Sequence, residues 1–360
     1  MKKIIRSIII LLNLLAVISL LTSYLSVYIS PDKFWIPSFF GLAYPYILLG
    51  NILFVLYWLF SSSKFALISI ITILLGYHHL QNYFQITAST TNEKGIVICS
   101  YNIRSFQGIP EKNVNATKNA KAIFSYLKSR KPNIVCLQEF SHMGIKGDLK
   151  NFMSYYHISD QMHLQYGYAQ NAGPAIFSSY PILNGGQIRF PHTSNMITYA
   201  DLKIGKDTVR LFNCHLESYR FSSKEIDSLD SLSIQDQSQN IREARLFGSK
   251  LKRALKKRAI HAQTLREKIN ASPYPVIICG DFNDTPVSYT YHTIRGDDIL
   301  DAFIESGQGI GNTYLGKLPS FRIDYILHSK QFKGYNFTIN KVTFSDHYPV
   351  ECKLIQVNPE

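Results

Sequence analysis

Cysteine is scarce in this sequence, and no two cysteines lie close together. Cys99, Cys136, Cys214, Cys279 and Cys352 each sit inside an apolar run. An odd count without close pairs argues against a disulfide framework and against a zinc site, so the thiols read as small core hydrophobes. Acidic residues are also few: 25 Asp and Glu stand against 38 Lys and Arg, a formal net charge of +13. That balance points to an anionic partner or an anionic membrane surface. There is no internal repeat and no low-complexity tract, which excludes a solenoid.

Charge is scarcest at the amino terminus. Lys2, Lys3 and Arg6 precede an apolar run, residues 4–28, that holds no acidic or basic residue after Arg6. No small-residue cleavage site follows it, which argues against a removable signal peptide. Residues 39–60 form a second long apolar stretch, interrupted by Gly41, Pro45 and Gly50 as membrane helices allow. A third, residues 65–84, is purely apolar only to Tyr77 and then turns to His78, His79, Gln81 and Asn82. The pattern predicts about three transmembrane helices in residues 1–90, followed by a catalytic domain in residues 91–360. Basic residues ahead of the first span hold the amino terminus in the cytoplasm. Three crossings then place the domain on the extracytoplasmic side of the cell inner or plasma membrane, whereas two would leave it inside.

From about Gly95 strand-like and helix-like stretches alternate, and the remaining length suffices for one α/β domain with a sizeable core. The stretch that organises it is V-I-I-C-G-D-F-N-D-T-P, from Val276 onward. Its β-branched run reads as a buried strand that delivers Asp281 and Asn283 to the strand's carboxyl end, where α/β proteins place reacting groups. Alternation puts both on one face, with Phe282 turned inward. Other strands end in the same way. Asn102 follows a strand starting at Ile96, Glu139 follows one starting at Ile134, and His215 follows one starting at Val209, with Glu217 on the same face but peripheral. Asp324 lies in R-I-D-Y-I, and Asp346 and His347 sit side by side in S-D-H-Y-P-V. Residues 219–240 are polar and Ser/Asp-rich, a connecting loop. Residues 241–269 follow a helical pattern with eight basic residues between 250 and 268 against one acid, Glu267. That helix reads either as a solvated outer helix or as a strip that follows a phosphate backbone or anionic lipid.

Hydrolysing a phosphate ester needs a nucleophilic water, neutralised non-bridging oxygens and a stabilised leaving oxygen, and these residue types fit that task. Glu139 is the expected holder of Mg²⁺, with Mn²⁺ as the alternative, because a hard cation takes oxygen donors, and Asn102 is expected to help position that metal or the phosphate. Asp281 is expected to orient or deprotonate water, Asn283 to donate to a phosphoryl oxygen, and His215 and His347 to hydrogen-bond the phosphate. Either Asp324 or Asp346 could hold the His347 ring, and the acid/base division between Asp281 and His347 stays open.

In order, N-I-R, L-Q-E, H-L-E-S, G-D-F-N-D-T-P, R-I-D-Y-I and S-D-H-Y-P-V resemble the endonuclease/exonuclease/phosphatase superfamily, the fold of pancreatic deoxyribonuclease, exonuclease III and the neutral sphingomyelinases. The resemblance covers about residues 95–356. It implies a four-layer α/β/β/α sandwich of two mixed sheets, and it implies that Asp324 orients His347 while Asp346 stays near the metal. The resulting expectation is a membrane-anchored, Mg-dependent phosphodiester hydrolase of nuclease type, acting on nucleic acid. The alternatives are a phospholipid or sphingomyelin phosphodiesterase, a phosphate-monoester phosphatase, or, remotely, a non-catalytic scaffold. No protein partner is inferred.

Overall fold

The computed structural model describes residues 2–61, 64–109, 114–141, 145–155, 164–166, 172–221, 225, 237–316 and 321–357. Most of the loop expected over 219–240 lies outside them. The chain opens with helices α1 (Lys2–Leu25), α2 (Ile36–Leu42), α3 (Tyr44–Phe60), α4 (Ala66–Leu75) and α5 (Tyr77–Gln81) and a two-residue strand β1 (Phe84–Gln85). Then come β2 (Ile96–Asn102), α6 (Ala116–Arg130), β3 (Ile134–Phe140), α7 (Lys146–Tyr155), β4 (Leu164–Tyr166), β5 (Gly173–Ser178), β6 (Ile182–Arg189), β7 (Met196–Ile204) and β8 (Asp207–His215). The last third holds α8 (Gln237–Asn270), β9 (Val276–Asp281), α9 (Tyr289–Arg295), β10 (Ile299–Asp301), α10 (Ala302–Ser306), β11 (Gly309–Ile310), β12 (Asp324–Ser329), β13 (Phe332–Ile339) and β14 (Val350–Gln356).

Two six-stranded sheets, ordered β10-β12-β9-β8-β7-β6 and β13-β14-β2-β3-β5-β4, form the centre. Each is mixed: β8 and β9 run parallel in the first and β2 and β3 in the second, among antiparallel neighbours. Ile98, Ile134, Cys136, Leu211, Ile277, Cys279 and Ile326 fill the space between the sheets. On the outer face of the second sheet, α6 presents Ala120, Ile123, Phe124 and Leu127 at helical spacing. Asn115 caps α6 by accepting from Lys118 N, and Lys131 ends it in a left-handed conformation (φ 53°) before Pro132. The first sheet is covered by α8 and α9 through Ala262, Leu265, Ile269, Tyr291 and Ile294. The domain is therefore an α/β sandwich with helices outside two mixed sheets. All five cysteines are buried and free, four of them strung along the inter-sheet or helix-facing positions of β2, β3, β8 and β9.

Among the described residues the three expected transmembrane helices are not found. One helix there, over Lys3–Leu25, is long and apolar enough to cross a bilayer, and the count reaches two only if α2 and α3, bent by 70° at their junction, are taken as one span. The physical reason is local. Pro45 stands in the first turn of α3, where it starts a helix well and cannot continue α2 into it. The third stretch stops at Gly76 after the 10 residues of α4, about 15 Å at the rise of a helix. Apolar length alone had hidden these breaks. The parity argument for an extracytoplasmic domain falls with them. A single such helix near the amino terminus is the size of a membrane anchor, of a signal sequence or of a core helix.

The packing of these helices is nevertheless informative. Asn13 is buried between α1, α3 and α4, donating to Ser69 Oγ (2.7 Å) and accepting from Trp58 Nε1 (2.8 Å), while Asn51 Nδ2 reaches Ala16 O (3.0 Å). Leu11, Ile18, Leu53, Leu56 and Leu74 face outward and are exposed. Beside a buried apolar cluster of Leu20, Val27, Tyr44 and Leu48, these helices thus bury polar side chains and expose large apolar ones, which departs from the usual surface of a water-soluble unit.

Candidate active site

The polar strand ends converge because both parallel pairs, β2 with β3 and β8 with β9, finish on the same rim of the sandwich. Asn102 closes β2 and is buried; its Nδ2 donates to Asp281 Oδ2 (3.0 Å) across the two sheets and to Glu139 Oε1 (3.3 Å). Its Oδ1 accepts from Arg104 N (3.0 Å), so the amide nitrogen, not the oxygen, faces the two carboxylates. Glu139 sits where the register between β3 and β5 shifts, with φ at 53°. A bulge of this kind turns a side chain out of the ladder, here towards the cleft, and a left-handed Glu is a strained conformation that the surroundings must hold.

Strand β9 runs through Gly280 and ends at Asp281. Gly280 has φ 129° and lies so close to Cys214 that a Cβ would strike its backbone, so β8 and β9 meet here only through glycine. Asp281 Oδ1 accepts from Asn283 N (2.7 Å), and Asn283 Nδ2 donates to Leu216 O (3.0 Å) and to Asp281 Oδ2 (3.3 Å). Asn283 is itself left-handed (φ 54°), a conformation asparagine tolerates better than most residues.

His347 Nδ1 lies 2.9 Å from Asp324 Oδ2 and its Nε2 lies 3.8 Å from Asp281 Oδ2. Of the two aspartates open to the role, Asp324 is the one that holds the ring. Asp346 instead lies 3.4 Å from Arg104 Nε and accepts from Ser345 Oγ (3.2 Å). Burial works against a charge on His347, but Asp324, Asp281 and Asp346 together outweigh it and hold the imidazolium up to about 10. Burial also pushes the Asp281 carboxyl up to about 6, opposed by His347 and His215 and reinforced by Asp324. Asp346 moves up for the same first reason, with Glu139 adding to the rise. His215, at the end of β8, has its Nε2 buried without a hydrogen-bond partner, 3.7 Å from Glu139 Oε1.

All of these groups except Asn102 and Asp324 line one cleft of about 530 Å³, and those two stand directly behind it. Glu217 is not brought into it: it is buried against Lys257 (3.3 Å) and Arg220 (3.8 Å). Three ligand atoms, from Asp281, Asp324 and His347, lie within 4.8 Å of one another, a group with the capacity to take a divalent cation. Glu139 and Asp346 fall outside that group. Sequence reasoning missed Arg104, although it stands in N-I-R, and Tyr314, whose ring meets His347 edge-on at 5.2 Å and whose backbone bridges it. It also missed the contribution of Phe39, Leu42, Ala43 and Tyr46, residues of the amino-terminal helices that line the same cleft.

The profile of the Endonuclease/Exonuclease/phosphatase family matches residues 99–347, more than half of the chain. The chain belongs to the endonuclease/exonuclease/phosphatase family. A separate profile, a domain of unknown function, matches residues 6–83. A comparison with curated proteins yields no match. Among solved structures the family fold recurs in a humanized D. rerio TDP2 (16% identity, TM-score 0.52, covering 72% of this chain and 99% of that one). It recurs in D. rerio TDP2 complexed with a single-strand DNA product (18%, 0.50, 73% and 100%) and in the human Nocturnin catalytic domain with a bound sulfate anion (17%, 0.50, 73% and 95%). At these identities the likeness concerns the fold. Family membership together with the Asp/Asp/His group supports a metal-dependent phosphodiester hydrolase of this general type.

The basic helix has a different role from a free cationic strip. Lys250 pairs with Glu225 (2.5 Å), Lys257 with Glu217, Arg258 with Asp284 (3.6 Å) and Arg266 with Asp298 (2.5 Å). Lys252 lies over the Trp35 ring (4.7 Å), and Lys256 Nζ donates to Asp32 O (3.2 Å). Six of the eight basic residues are thus engaged within the family domain or with the amino-terminal segment.

Proposed function

We propose that the chain is a membrane-anchored hydrolase of phosphodiesters that uses a divalent cation, Mg²⁺ or Mn²⁺. The observation that carries this reading is the His347–Asp324 pair facing Asp281 in one cleft, with Glu139 and Asp346 on its rim. Glu139 and Asp346 would hold the cation, with Asn102, which donates to Glu139 Oε1, positioning the first of them. Two carboxylates suit a hard cation, and the buried Asp324 Oδ1, which has no partner, leaves acceptor capacity within the Asp281, Asp324 and His347 group. When bound, the cation supplies charge neutralisation for the phosphate's non-bridging oxygens. Asp281 orients a water and receives its proton. The protonated ring of His347, fixed by Asp324, and the side chains of Asn283 and His215 donate to phosphate oxygens as charge builds there. The buried polar and exposed apolar side chains of α1, α3 and α4 support α1 as a retained anchor. Residues 1–90 then act as the anchoring segment and residues 91–360 as the catalytic domain.

The test is hydrolysis of bis(p-nitrophenyl) phosphate by the full chain in detergent, with Mg²⁺ and with EDTA. Turnover that needs the cation, and that falls by several orders of magnitude in Asp281→Ala, supports the reading. Equal turnover in EDTA, or in the variant, defeats it. Single-strand DNA is the first polymer to offer, because D. rerio TDP2, which shares the fold, was solved with such a product.

A further inference from the structure

The cleft over the catalytic residues has walls of two origins. Phe39, Leu42 and Tyr46, from α2 and the start of α3, line it together with Phe247, Leu251 and Phe321 of the catalytic domain, and the Tyr46 and Phe321 rings meet edge-on at 6.4 Å. The arginines among its described lining residues, Arg104 and Arg220, each stand beside a carboxylate, Asp346 at 3.4 Å and Glu217 at 3.8 Å. A groove that tracks a nucleic-acid backbone is lined by available cations along its length. This one is instead polar at its floor and apolar at its walls.

The amino-terminal wall is built in. Ser26 Oγ donates to Val287 O (3.1 Å), and Gly41 sits so close to the same carbonyl that a Cβ there would collide with it. The buried Arg322 donates to Asn82 O (2.9 Å), and β1 pairs with β11. The first two contacts fasten the helices to the segment 282–288 that follows Asp281, and the last two fasten the stretch after α5 to Arg322 and β11. The wall also continues into the exposed apolar face of α3, where Leu49, Leu53 and Leu56 point outward.

We infer that the substrate is an amphiphile, a phosphodiester carrying a hydrocarbon chain, whose phosphate rests on the catalytic floor while the chain lies against the apolar lining of Phe39, Leu42, Phe247 and Leu251, beside the Tyr46–Phe321 ring pair. This rests on the phosphodiesterase reading above. The reaction balances as a hydrolysis: water adds to phosphorus, one ester P–O bond breaks, and the leaving oxygen takes a proton.

The experiment compares methyl and hexyl p-nitrophenyl phosphate, bis(p-nitrophenyl) phosphate, single-strand DNA and phosphatidylglycerol vesicles, using the full chain in detergent or reconstituted in the vesicles. The hexyl ester is expected to exceed the methyl ester in kcat/KM by about 30-fold. That equals about 2 kcal/mol, half burial of five added methylenes at about 0.8 kcal/mol each. Leu42→Ser and Tyr46→Ser are expected to lower that ratio towards one, with a thermal melt verifying that each variant is folded. Turnover of the vesicle lipid assigns the bilayer as the source, and turnover of the hexyl ester alone assigns a soluble amphiphile. Equal rates on the two esters, or faster cleavage of DNA than of the hexyl ester, overturn the inference while bis(p-nitrophenyl) phosphate turnover keeps the phosphodiesterase reading. No turnover of any compound overturns both.

Discussion

Replacing Asp324 by Asn removes one charge from behind the cleft and changes the shape of the side chain very little. Asp324 Oδ2 accepts from His347 Nδ1 at 2.9 Å, and its Oδ1 is buried without a partner. A carboxamide must put its NH₂ at one of these two places. Facing His347, it meets a ring nitrogen that can then only accept, which forces the proton to Nε2 and forfeits the imidazolium. At the Oδ1 position, it buries a donor with nothing to receive it. The second arrangement costs about 1–3 kcal/mol, the penalty for an unsatisfied buried polar group, and the first loses a charge-assisted hydrogen bond of similar size. Spent on the transition state, that is a loss of about five- to 150-fold in kcat. The assay is steady-state hydrolysis of bis(p-nitrophenyl) phosphate by the full chain and by Asp324→Asn, beside His347→Ala. KM should move little, because the hydrogen bond acts on the ring and not on the ground-state substrate. If Asp324→Asn keeps wild-type kcat while His347→Ala is impaired, the assignment of Asp324 as the group that positions the ring is wrong.

Two further outcomes follow from groups outside the cleft. Asp301 holds the fully buried Arg322 through both carboxylate oxygens (2.5 and 2.6 Å) and also accepts from Tyr291 Oη (2.6 Å), so Asp301→Ala strands a buried charge at about 3–5 kcal/mol. The melting temperature should fall by roughly 6–20 °C, and a shift under 2 °C would refute the pairing argument. His261 is buried, stacked on Phe190 at 3.7 Å, and burial, with Lys257 and Arg258 nearby, pushes it down to about 3. The folded protein therefore refuses a proton that the unfolded chain accepts below its ordinary value of about 6.5, so stability is lost as pH falls from about 6.5 towards 3, by up to about 1.4 kcal/mol per pH unit. Thermal melts of His261→Leu between pH 7 and pH 4.5 should show a flatter acid limb than the wild type; a parallel limb would contradict this.

Much of the site was legible because it sits at strand ends. Asp281, Glu139 and His215 each follow a short apolar run, and the change from apolar to polar marks both the strand and its exit. The two-sheet arrangement was not legible from pattern. Both faces of β9 and β12 are buried, so V-I-I-C-G-D shows no alternation, and the resemblance alone implied the second sheet. The membrane segment was misread for a related reason. Hydropathy reports length without breaks, whereas Pro45 and Gly76 end helices that composition alone would continue. Long-range partners were out of reach altogether. Nothing near Arg322 in the sequence announces Asp301 or Asn82, and nothing near Lys257 announces Glu217. The basic run between 250 and 268 therefore read either as a solvated outer face or as a binding strip, when most of it is engaged in contacts within the molecule.

The most direct test of the central claim follows the water. The full chain, supplied with Mg²⁺ and bis(p-nitrophenyl) phosphate in ¹⁸O-labelled water, should release p-nitrophenol without label and p-nitrophenyl phosphate carrying one ¹⁸O, and Asp281→Ala should release neither above background. Label in the phenol, or an undiminished labelled phosphate from the variant, would contradict attack on phosphorus by a water that Asp281 directs.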